Sequence, residues 1–487
     1  MKVNNIFSKI ILGLILLTVV AGLAYGVFFI WKVNTVENQI SVKTENEASF
    51  FDTFKNIVAP GEINLKKSKD GRINILLLGI AGEGKPGKNL TDTVMIASLD
   101  TETGKVALLS IPRDLYVEVP STSYAGKINS IYEYGLKSYP DNPTKSIKPI
   151  EEVIKDSTSL DIQYWAVVNF DGFEEVIDAI GGINIMNERD IYDPQYPGPG
   201  YSYETFELSK GFHHLDGATA LKYARMRHND PEGDFGRAKR QQQVMQAVKN
   251  KIFSTGTLLN AVALNQLFDA LGSNVKTNIS SQELGDFITL IKKLDTNNIN
   301  NVVLDAWNSD SLLKVSHIFY GDTRAFILVP RIGNWSEVKD LSQNIFDINE
   351  LKRKREEITK EDATVIIINK SGNGLVLNQI NKLLKDSFGY KNIIILNDYN
   401  KKLEEKTLVY DLTNGNKPFT LNELIKKLPA SNSTYLDSSY RQLIGNVKAD
   451  VVLIIGKDSI PHYSMAEVDF KDYNEAEDTN NYSEYNQ

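Results

Sequence analysis

The sequence contains no cysteine, which excludes disulfide bonds, thiol nucleophiles and thiolate metal sites. It also lacks an excess of positive charge, since 54 Lys and Arg residues face 62 Asp and Glu residues, for a net charge of −8. Because nucleic-acid-binding proteins usually present a broad basic face, this balance disfavours a nucleic acid partner. Residues 462–487 alone hold seven acidic residues and one Lys. We predict that this tail is disordered and that any basic site is a local cluster.

Long hydrophobic runs are also scarce, and only residues 10–31 form one that is long enough to cross a bilayer. As a helix this uncharged run would span about 33 Å. Lys2 and Lys9 precede it, so the positive-inside rule places the N-terminus in the cytoplasm. The run continues beyond the small residues Ala24 and Gly26, which favours an uncleaved anchor over a cleaved signal peptide. We therefore predict a single-pass plasma membrane protein whose main domains are extracytoplasmic.

The remainder of the 487-residue chain has an ordinary globular composition, with 42% hydrophobic and 24% charged residues. Apolar runs predict buried strands at residues 73–78, 93–99, 106–111 and 163–170. Helices are predicted after Asp171, ending at Gly181–Gly182, after Asp216, and from Arg237 to Phe253. Further strand and helix patterns at 363–460 predict a second, small α/β unit. The fold class is therefore α/β.

The segment Gly79–Pro86 resembles a phosphate-binding P-loop without completing it. A P-loop needs Ser or Thr after its Lys to hold Mg²⁺, and a helix after that, but Pro86 follows Lys85 here. We therefore reject nucleotide binding and interpret the segment as a Gly-rich loop at a strand end. Such an end is still a usual position for a site in an α/β sheet.

Four arginines, Arg225, Arg227, Arg237 and Arg240, lie within sixteen residues. Arg237 is predicted in the first turn of a helix, where the helix dipole disfavours a cation unless an anion is bound. Guanidinium groups also match phosphate oxygens at two points. The spacing fits two interpretations. One is an anion-binding site, and the other is a set of surface ion pairs in which Asp234 caps the helix.

The same helix carries a stripe that is polar at its start and apolar beyond, namely Arg237, Gln241, Val244, Val248 and Ile252. A ligand with a phosphate head and a hydrocarbon tail would match this stripe. The alternative is that the three apolar side chains belong to the hydrophobic core.

Asp92 precedes one predicted strand and Arg113 follows another. A carboxylate close to phosphates and arginines is a natural Mg²⁺ ligand or proton acceptor. Alone, each of the two residues is more typical of a cap or a turn.

These residues belong to an ordered set of motifs that resembles the LytR-CpsA-Psr cell-wall proteins over about residues 70–348. The motifs are Leu76–Ile80, Thr91–Thr93, Ser110–Asp114, Lys127–Asn129, Asn169–Phe173, Gly181–Gly182, His213–Gly217, Arg225–Arg227, Asp234–Arg237 and Arg240–Gln241. The unit at 363–461 resembles the C-terminal LytR domain that accompanies some members.

The resemblance implies an α/β/α sandwich with a mixed central sheet, a small C-terminal α/β domain and an N-terminal transmembrane helix. The expected segments are a cytoplasmic N-terminus (1–9), the anchor (10–31), an extracytoplasmic linker (32–69), the catalytic domain (70–348), a linker (349–362), the LytR C-terminal domain (363–461) and the acidic tail (462–487).

The resemblance also implies a phosphotransferase that moves a glycan from a polyprenyl-pyrophosphate carrier to peptidoglycan or another cell-wall polymer. Mg²⁺ or Mn²⁺ would be the cofactor. One alternative is a hydrolase of the polyprenyl pyrophosphate, with water as the acceptor. Another is a non-catalytic envelope protein that binds lipid phosphate.

Carried over by motif, one set of residues would bind the pyrophosphate: Arg113, Arg225, Arg227, Arg237, Arg240 and Gln241, with Lys127 in support. Asp92 would hold the metal ion, and Asp234 would orient the arginines or act as the base. Asp92, Arg113, Asp234 and Arg227 are thus the predicted catalytic residues.

Two positions depart from the family pattern. Ala81 and Leu90 stand where the family often has Asp and Arg. Loss of the acid at position 81 would weaken metal binding, and we expect Glu83, in the same loop, to take over as a metal ligand.

Overall fold

The computed structural model describes residues 63–198, 202–227, 229–254 and 274–463, with gaps in the last range at 281–282, 284–285, 288, 291–292, 296–297, 307–310, 321–322, 400–401 and 429. The predicted anchor and nearly all of the predicted acidic tail lie outside the described residues. Within the described ranges, no helix combines the length and the apolar character that crossing a membrane requires.

Strands and helices alternate along much of the chain, which confirms the α/β class. The strands are β1 (Arg72–Ile80), β2 (Thr91–Asp100), β3 (Val106–Ile111), β4 (Tyr116–Glu118), β5 (Ala125–Lys127), β6 (Tyr164–Asn169), β7 (Ile183–Asn187), β8 (Ile191–Pro197), β9 (Tyr203–Leu208), β10 (Gly211–Leu215), β11 (Val275–Thr277), β12 (Ile299–Val303), β13 (Leu313–Tyr320), β14 (Thr323–Pro330), β15 (Thr364–Asn369), β16 (Asn392–Leu396), β17 (Thr407–Asp411), β18 (Ala430–Asn432) and β19 (Val451–Ile455).

The α-helices are α1 (Ile131–Ser138), α2 (Pro143–Ser146), α3 (Lys148–Thr158), α4 (Phe170–Ala179), α5 (Gly217–Arg225), α6 (Gly233–Ser254), α7 (Ser336–Gln343), α8 (Ile348–Glu361), α9 (Gly374–Lys382), α10 (Pro418–Lys427), α11 (Ser438–Ile444) and α12 (Ile460–Tyr463). Short 3₁₀ turns occupy Ile128–Ser130 and Lys457–Ser459, and Leu383–Ser387 is a π-helical turn.

The chain divides into two compact units. The first unit contains the residues up to Ser110, Gly135–Ile147 and Ile162–Asn301. The second unit contains Ile111–Tyr134, Lys148–Asp161 and the residues from Val302 onward.

The first unit is built on a six-stranded sheet with the order β11-β6-β1-β2-β3-β12. β1 runs antiparallel to β2 but parallel to β6, and β11 is antiparallel to β6, so the predicted mixed sheet is confirmed. β3 is buried along its whole length, as its largely apolar sequence favours, and its one polar residue, Ser110, accepts a hydrogen bond from Gln242. The carboxyl ends of the parallel strands β1 and β6 meet at one edge of this sheet, beside the start of β2.

Two hydrophobic clusters stabilise the first unit. One joins the sheet to the chain around residues 287–294 through residues such as Ile73, Tyr164 and Leu290, which are each no more than 1% exposed. The other packs α4, α5 and α6 against the two-stranded ribbon β7–β10 and includes Ile177, Ile183, Tyr223 and Val244. Burial of this apolar area is the main favourable term in holding the helices in place.

The second unit contains a five-stranded sheet with the order β16-β15-β19-β17-β18. β15 is parallel to β16 and β19, whereas β17 is antiparallel to β19. The charged segment 349–362, predicted as a linker or a solvated helix, is helical in α8.

Most predicted elements in the first unit occur, with two differences at helix starts. The side chain of Asn169, not Asp171, caps α4 by accepting a hydrogen bond from the Gly172 amide. The predicted end of this helix is confirmed, because Gly181 and Gly182 follow it with positive φ angles of 76° and 74°. α6 begins at Gly233, four residues before the predicted start, so Arg237 lies in the second turn and not the first.

Candidate functional site

Asp92 occupies a β-bulge at the start of β2. Gly79 pairs with Thr93 and Ile80 pairs with Thr91, so Asp92 is the extra residue between the two pairs. A Cβ atom on Gly79 would lie 3.0 Å from the Thr93 side chain, which explains why this close pairing uses glycine. Bulges redirect a side chain and are frequent beside active sites. The bulge therefore gives Asp92 a position that regular strand pairing does not provide.

The Gly-rich loop after β1 is held by an ion pair with α4. Lys85 Nζ lies 2.7 Å from Asp171 Oδ2, in the first turn of that helix. The one lysine of the P-loop-like segment thus contacts a carboxylate and attaches the loop to the sheet edge.

Glu83 and Ala81 lie in the same loop in different environments. The Glu83 side chain is 84% exposed and pairs with Lys88 at 3.0 Å. Ala81 is buried, with 6% exposure, at the position where the family often has an acid. A metal-binding role for Glu83 stays a prediction.

Asp230, between α5 and α6, is the buried centre of an ion-pair cluster. Its side chain is fully buried and accepts hydrogen bonds from Arg189 and Arg240. It also accepts a hydrogen bond from the Glu232 amide at 2.9 Å. A buried carboxylate requires such partners, because removing it from water without them is costly.

Arg240 connects Asp230 to the end of α5. Its Nε donates to the Tyr223 carbonyl at 3.0 Å, and its Nη2 donates to the Met226 carbonyl. The guanidinium is thereby bound to three oxygens and holds the chain on both sides of Arg225. The structure gives Arg240 this positioning role, and its predicted role as a substrate ligand stays a prediction.

Gly236 makes room for this cluster. A Cβ atom at this position would collide with the Asp230 carboxylate, although the backbone is regular helix. The glycine of the Asp234–Arg237 motif is therefore explained by the close approach of Asp230 to α6.

Arg225, the last residue of α5, lies between two aromatic rings. Its guanidinium carbon is 4.1 Å from the Phe170 ring centre and 5.6 Å from that of Tyr196. Burial raises the pKa of Tyr196 to about 12, although the charge of Arg225 acts in the opposite direction. The two rings orient the arginine and stabilise its charge by cation–π contact.

Arg227 lies on the loop between α5 and α6, and Arg237 lies on α6. Arg227 is half-buried, and its carbonyl accepts the Asp230 amide at 3.2 Å. Arg237 is 8% exposed, and its Nη2 donates to the Asp92 backbone carbonyl at 3.4 Å. Two predicted site residues, Arg237 and Asp92, are thus brought together at the bulge, although they are 145 positions apart.

The apolar end of the α6 stripe belongs to the hydrophobic core. Val244 is 3% exposed, and Val248 packs against the same cluster as α4 and α5. For these two residues the core interpretation is confirmed. The Ile252 side chain lies outside the described residues. At the polar end, Gln241 Nε2 lies 3.5 Å from the Ala224 carbonyl.

The two remaining cationic candidates lie in the second unit. Arg113 and Lys127 flank one carboxylate, that of Asp114, at 3.5 and 2.7 Å. Lys127 belongs to the short ribbon β4–β5, which places it opposite Tyr116. The shared carboxylate orients both side chains within this unit.

The predicted base, Asp234, is in the first turn of α6, and its side chain lies outside the described residues. Beside α6, Asp230 is an acid that orients arginines, and it was not predicted from the sequence. The available signal was its position, because it is an acid between the Arg225–Arg227 pair and the α6 arginines.

The comparisons with known proteins agree with this arrangement of motifs. The model of the LytR_cpsA_psr family matches residues 28–324, which is more than half of the chain. The chain belongs to this family. The LytR_cpsA_psr match begins before the described residues and ends within β14.

Relatives in the LytR_cpsA_psr family carry the name polyisoprenyl-teichoic acid–peptidoglycan teichoic acid transferase TagU. One from Oceanobacillus iheyensis is 33% identical over 280 residues, covering 57% of this chain and 79% of the relative. Another from Bacillus cereus is 29% identical over 276 residues, covering 57% and 80%. The crystal structure of B. subtilis TagV is 25% identical, with a TM-score of 0.43, covering 57% of this chain and 99% of TagV.

Proposed function

We propose that this protein is a membrane-anchored phosphotransferase of the cell envelope. It transfers a glycan from a polyprenyl-pyrophosphate carrier to peptidoglycan or another wall polymer. The names of its relatives as teichoic acid transferases support a transferase of wall glycopolymers. They make a teichoic acid the first glycan to test.

The observation that carries the proposal is the arrangement of arginines around buried Asp230. The charge of Asp230 offsets Arg189 and Arg240, with which it pairs. Arg225, oriented by two rings, and Arg227 lie on the chain segment that Arg240 holds. Arg237 links this segment to the Asp92 bulge. Pyrophosphate carries several negative charges, and rigidly placed guanidinium groups are suited to bind it.

In the proposed reaction a hydroxyl oxygen of the wall polymer attacks the phosphorus that carries the glycan. A new phosphorus–oxygen bond forms, and the bond from this phosphorus to the bridging oxygen breaks. Polyprenyl phosphate leaves with the bridging oxygen, and the hydroxyl proton passes to a base, which the motif resemblance assigns to Asp234. Arg225, Arg227 and Arg237 would stabilise the charge that develops on the leaving phosphate.

The residues present fit a divalent cation that is held partly by the substrate. Mg²⁺ commonly binds through one or two carboxylates together with substrate phosphates and water. Asp92, at the bulge, would supply one such carboxylate. Within the described residues, no group of three or more His, Asp or Glu side chains forms a metal site. When bound, the cation would neutralise charge on the transferred phosphoryl group.

The test is product analysis with the full-length protein in detergent, a polyprenyl-pyrophosphate-linked teichoic acid, peptidoglycan and Mg²⁺. The expected product is peptidoglycan that carries the glycan through a phosphodiester, with one polyprenyl phosphate released per transfer. Release of lipid phosphate without glycosylated peptidoglycan would instead establish the hydrolase. Binding of the donor without release of polyprenyl phosphate would establish the non-catalytic alternative. The buried Ala81, in place of the family's acid, would then explain the missing activity.

The metal assignment makes a separate prediction. Asp92→Asn is expected to lower the Mg²⁺-stimulated rate by about 100-fold or more, because metal ions contribute several kcal/mol to such reactions. Glu83→Gln is expected to raise the Mg²⁺ concentration needed for half the maximal rate, since Glu83 shares the loop of Ala81. The measurement is the rate of donor turnover against Mg²⁺ concentration. An unchanged Mg²⁺ dependence in Glu83→Gln would remove that residue from the metal site.

A further inference from the structure

The second unit contains a small open cleft of about 50 Å³ that the proposed transfer reaction does not use. It is lined by Lys314 of β13, Arg331 after β14, Gln379 and Lys382 of α9, and Leu383, Asp386 and Ser387 of the π-helical turn. This volume is far below that of a small-molecule pocket and suits a single small group such as a phosphate. Three cationic side chains line the cleft with Asp386, and Glu337 pairs with Arg331, so one positive charge remains in excess.

One wall of the cleft is the π-helical turn that continues α9. π-helical turns are rare and occur frequently at functional sites. The Arg355 side chain donates a hydrogen bond to the Ser387 carbonyl, which fixes the last residue of the turn. This wall is therefore held in a shape that regular α-helix would not give.

Another wall of the cleft presents Arg331 in a fixed orientation. Its Nε and Nη2 atoms donate to the two carboxylate oxygens of Glu337, at 2.7 and 2.8 Å. Burial alone would raise the pKa of Glu337, but Arg331 and Lys427 outweigh it and hold this pKa below its usual value. Glu337 therefore stays charged and keeps Arg331 in place.

A chain of ion pairs connects the two walls. Lys427 Nζ lies 3.3 Å from Glu337 and 3.0 Å from Glu423, and Glu423 pairs with Arg355 at 2.8 Å. Arg331, Lys427 and Arg355 thus share two carboxylates, so the network retains a positive charge. The buried residues of this network hold the side chains of the cleft in place before a ligand binds. This lowers the entropy that is lost when the side chains become ordered on binding.

We propose that this cleft binds the phosphate groups of an anionic wall polymer, and this choice of source rests on the proposed function. Lys314 of β13 and Lys382 of α9 supply compact charges, and Arg331 supplies a planar donor that Glu337 holds in place. The excess of cations over Asp386 and Glu337 favours a phosphate over a neutral sugar. A site of this kind would hold the polymer while the reaction proceeds elsewhere on the chain.

The first test is acetylation of lysines in the full-length protein, with and without a poly(glycerol phosphate) oligomer. Lys314 and Lys382 are expected to be protected from acetylation by the oligomer. Lys385, which is exposed on the same turn but does not line the cleft, is the internal control and should react equally in both samples. If a saturating concentration of the oligomer leaves the acetylation of Lys314 and Lys382 unchanged, as it does for Lys385, the proposal is overturned.

The second test is the affinity for the same oligomer. The Lys314→Gln/Lys382→Gln variant is expected to bind at least about tenfold more weakly, because charge-assisted contacts are the strong ones. Lys385→Gln is the matched control and should bind as tightly as the wild type. Thermal unfolding of all three proteins separates lost contacts from lost folding. Equal affinity in the double variant would overturn the proposal.

Inorganic phosphate at the same phosphate concentration distinguishes the two sources of the ligand. Protection by the oligomer alone supports the polymer, whereas equal protection by inorganic phosphate overturns the polymer and assigns free phosphate. These measurements need no turnover. If the oligomer binds through the two lysines but no transfer occurs, only the proposed function is contradicted. If transfer occurs but the oligomer does not bind through the two lysines, only the proposal for the cleft is contradicted.

Discussion

Replacing Asp230 with Ala is expected to lower the free energy of unfolding of the first unit by about 3–5 kcal/mol. The substitution leaves Arg240, whose side chain is 6% exposed, as a buried charge without its carboxylate. It also leaves Arg189 without this partner. The measurement is urea unfolding followed by tryptophan fluorescence, in which Trp165, 3% exposed, reports on the first unit.

A double-mutant cycle provides the control for this prediction. If the cost comes from a buried unpaired charge, Arg240→Met should restore part of the stability that Asp230→Ala removes. The expected coupling between the two positions is about 1–3 kcal/mol, as for residues in one ion-pair network. Additive costs, or a loss below about 1 kcal/mol in Asp230→Ala, would contradict the role of Asp230 as the centre of the cluster.

Replacing Arg227 with Ala is expected to lower donor turnover by about 100-fold or more, as the loss of one preorganised charge-stabilising donor does in other enzymes. Hydrogen bonds from Arg240 and Asp230 hold the backbone of the loop at Met226 and Arg227, so the start of this side chain is fixed without a substrate. Turnover is measured as polyprenyl phosphate released from a short-chain polyprenyl-pyrophosphate donor. The ratio of rate constants gives the lost stabilisation directly.

Arg353→Ala is the matched control for this substitution. Arg353 is 61% exposed, pairs with Asp347 and belongs to none of the family motifs. The Arg353→Ala substitution removes the same charge as Arg227→Ala and should leave turnover unchanged. Equal effects of the two substitutions would show that only total charge matters, and unchanged turnover in Arg227→Ala would remove this arginine from the reaction.

Local pattern was sufficient to predict much of the first unit. β3 was predictable because five of its six residues are apolar, in a short run that ends at Ile111. The cap of α5 by Asp216 was predictable because the hydrogen bond spans only three residues. It was not predictable from local sequence that Asn169, and not Asp171, caps α4. Asp171 binds Lys85, which is 86 positions away in sequence, and that contact is invisible to local pattern.

The same limit applied to the candidate site. The motif residues could be identified in the sequence, but which of them pair with one another could not be predicted. Arg189 and Asp230 are 41 positions apart, and nothing local indicates that they meet. The α6 stripe likewise matched either a lipid tail or the core, and only the packing of Val244 and Val248 decided between them.

The measurement that tests the central claim most directly is hydrogen–deuterium exchange of the full-length protein with a short-chain polyprenyl pyrophosphate and Mg²⁺. This experiment locates the bound pyrophosphate without any substitution, because ligand contacts slow local opening of the backbone. We predict slower exchange at residues 224–242 and at the bulge around Asp92. If the ligand binds at saturation but exchange at both segments is unchanged, the pyrophosphate does not bind beside these arginines and Asp92.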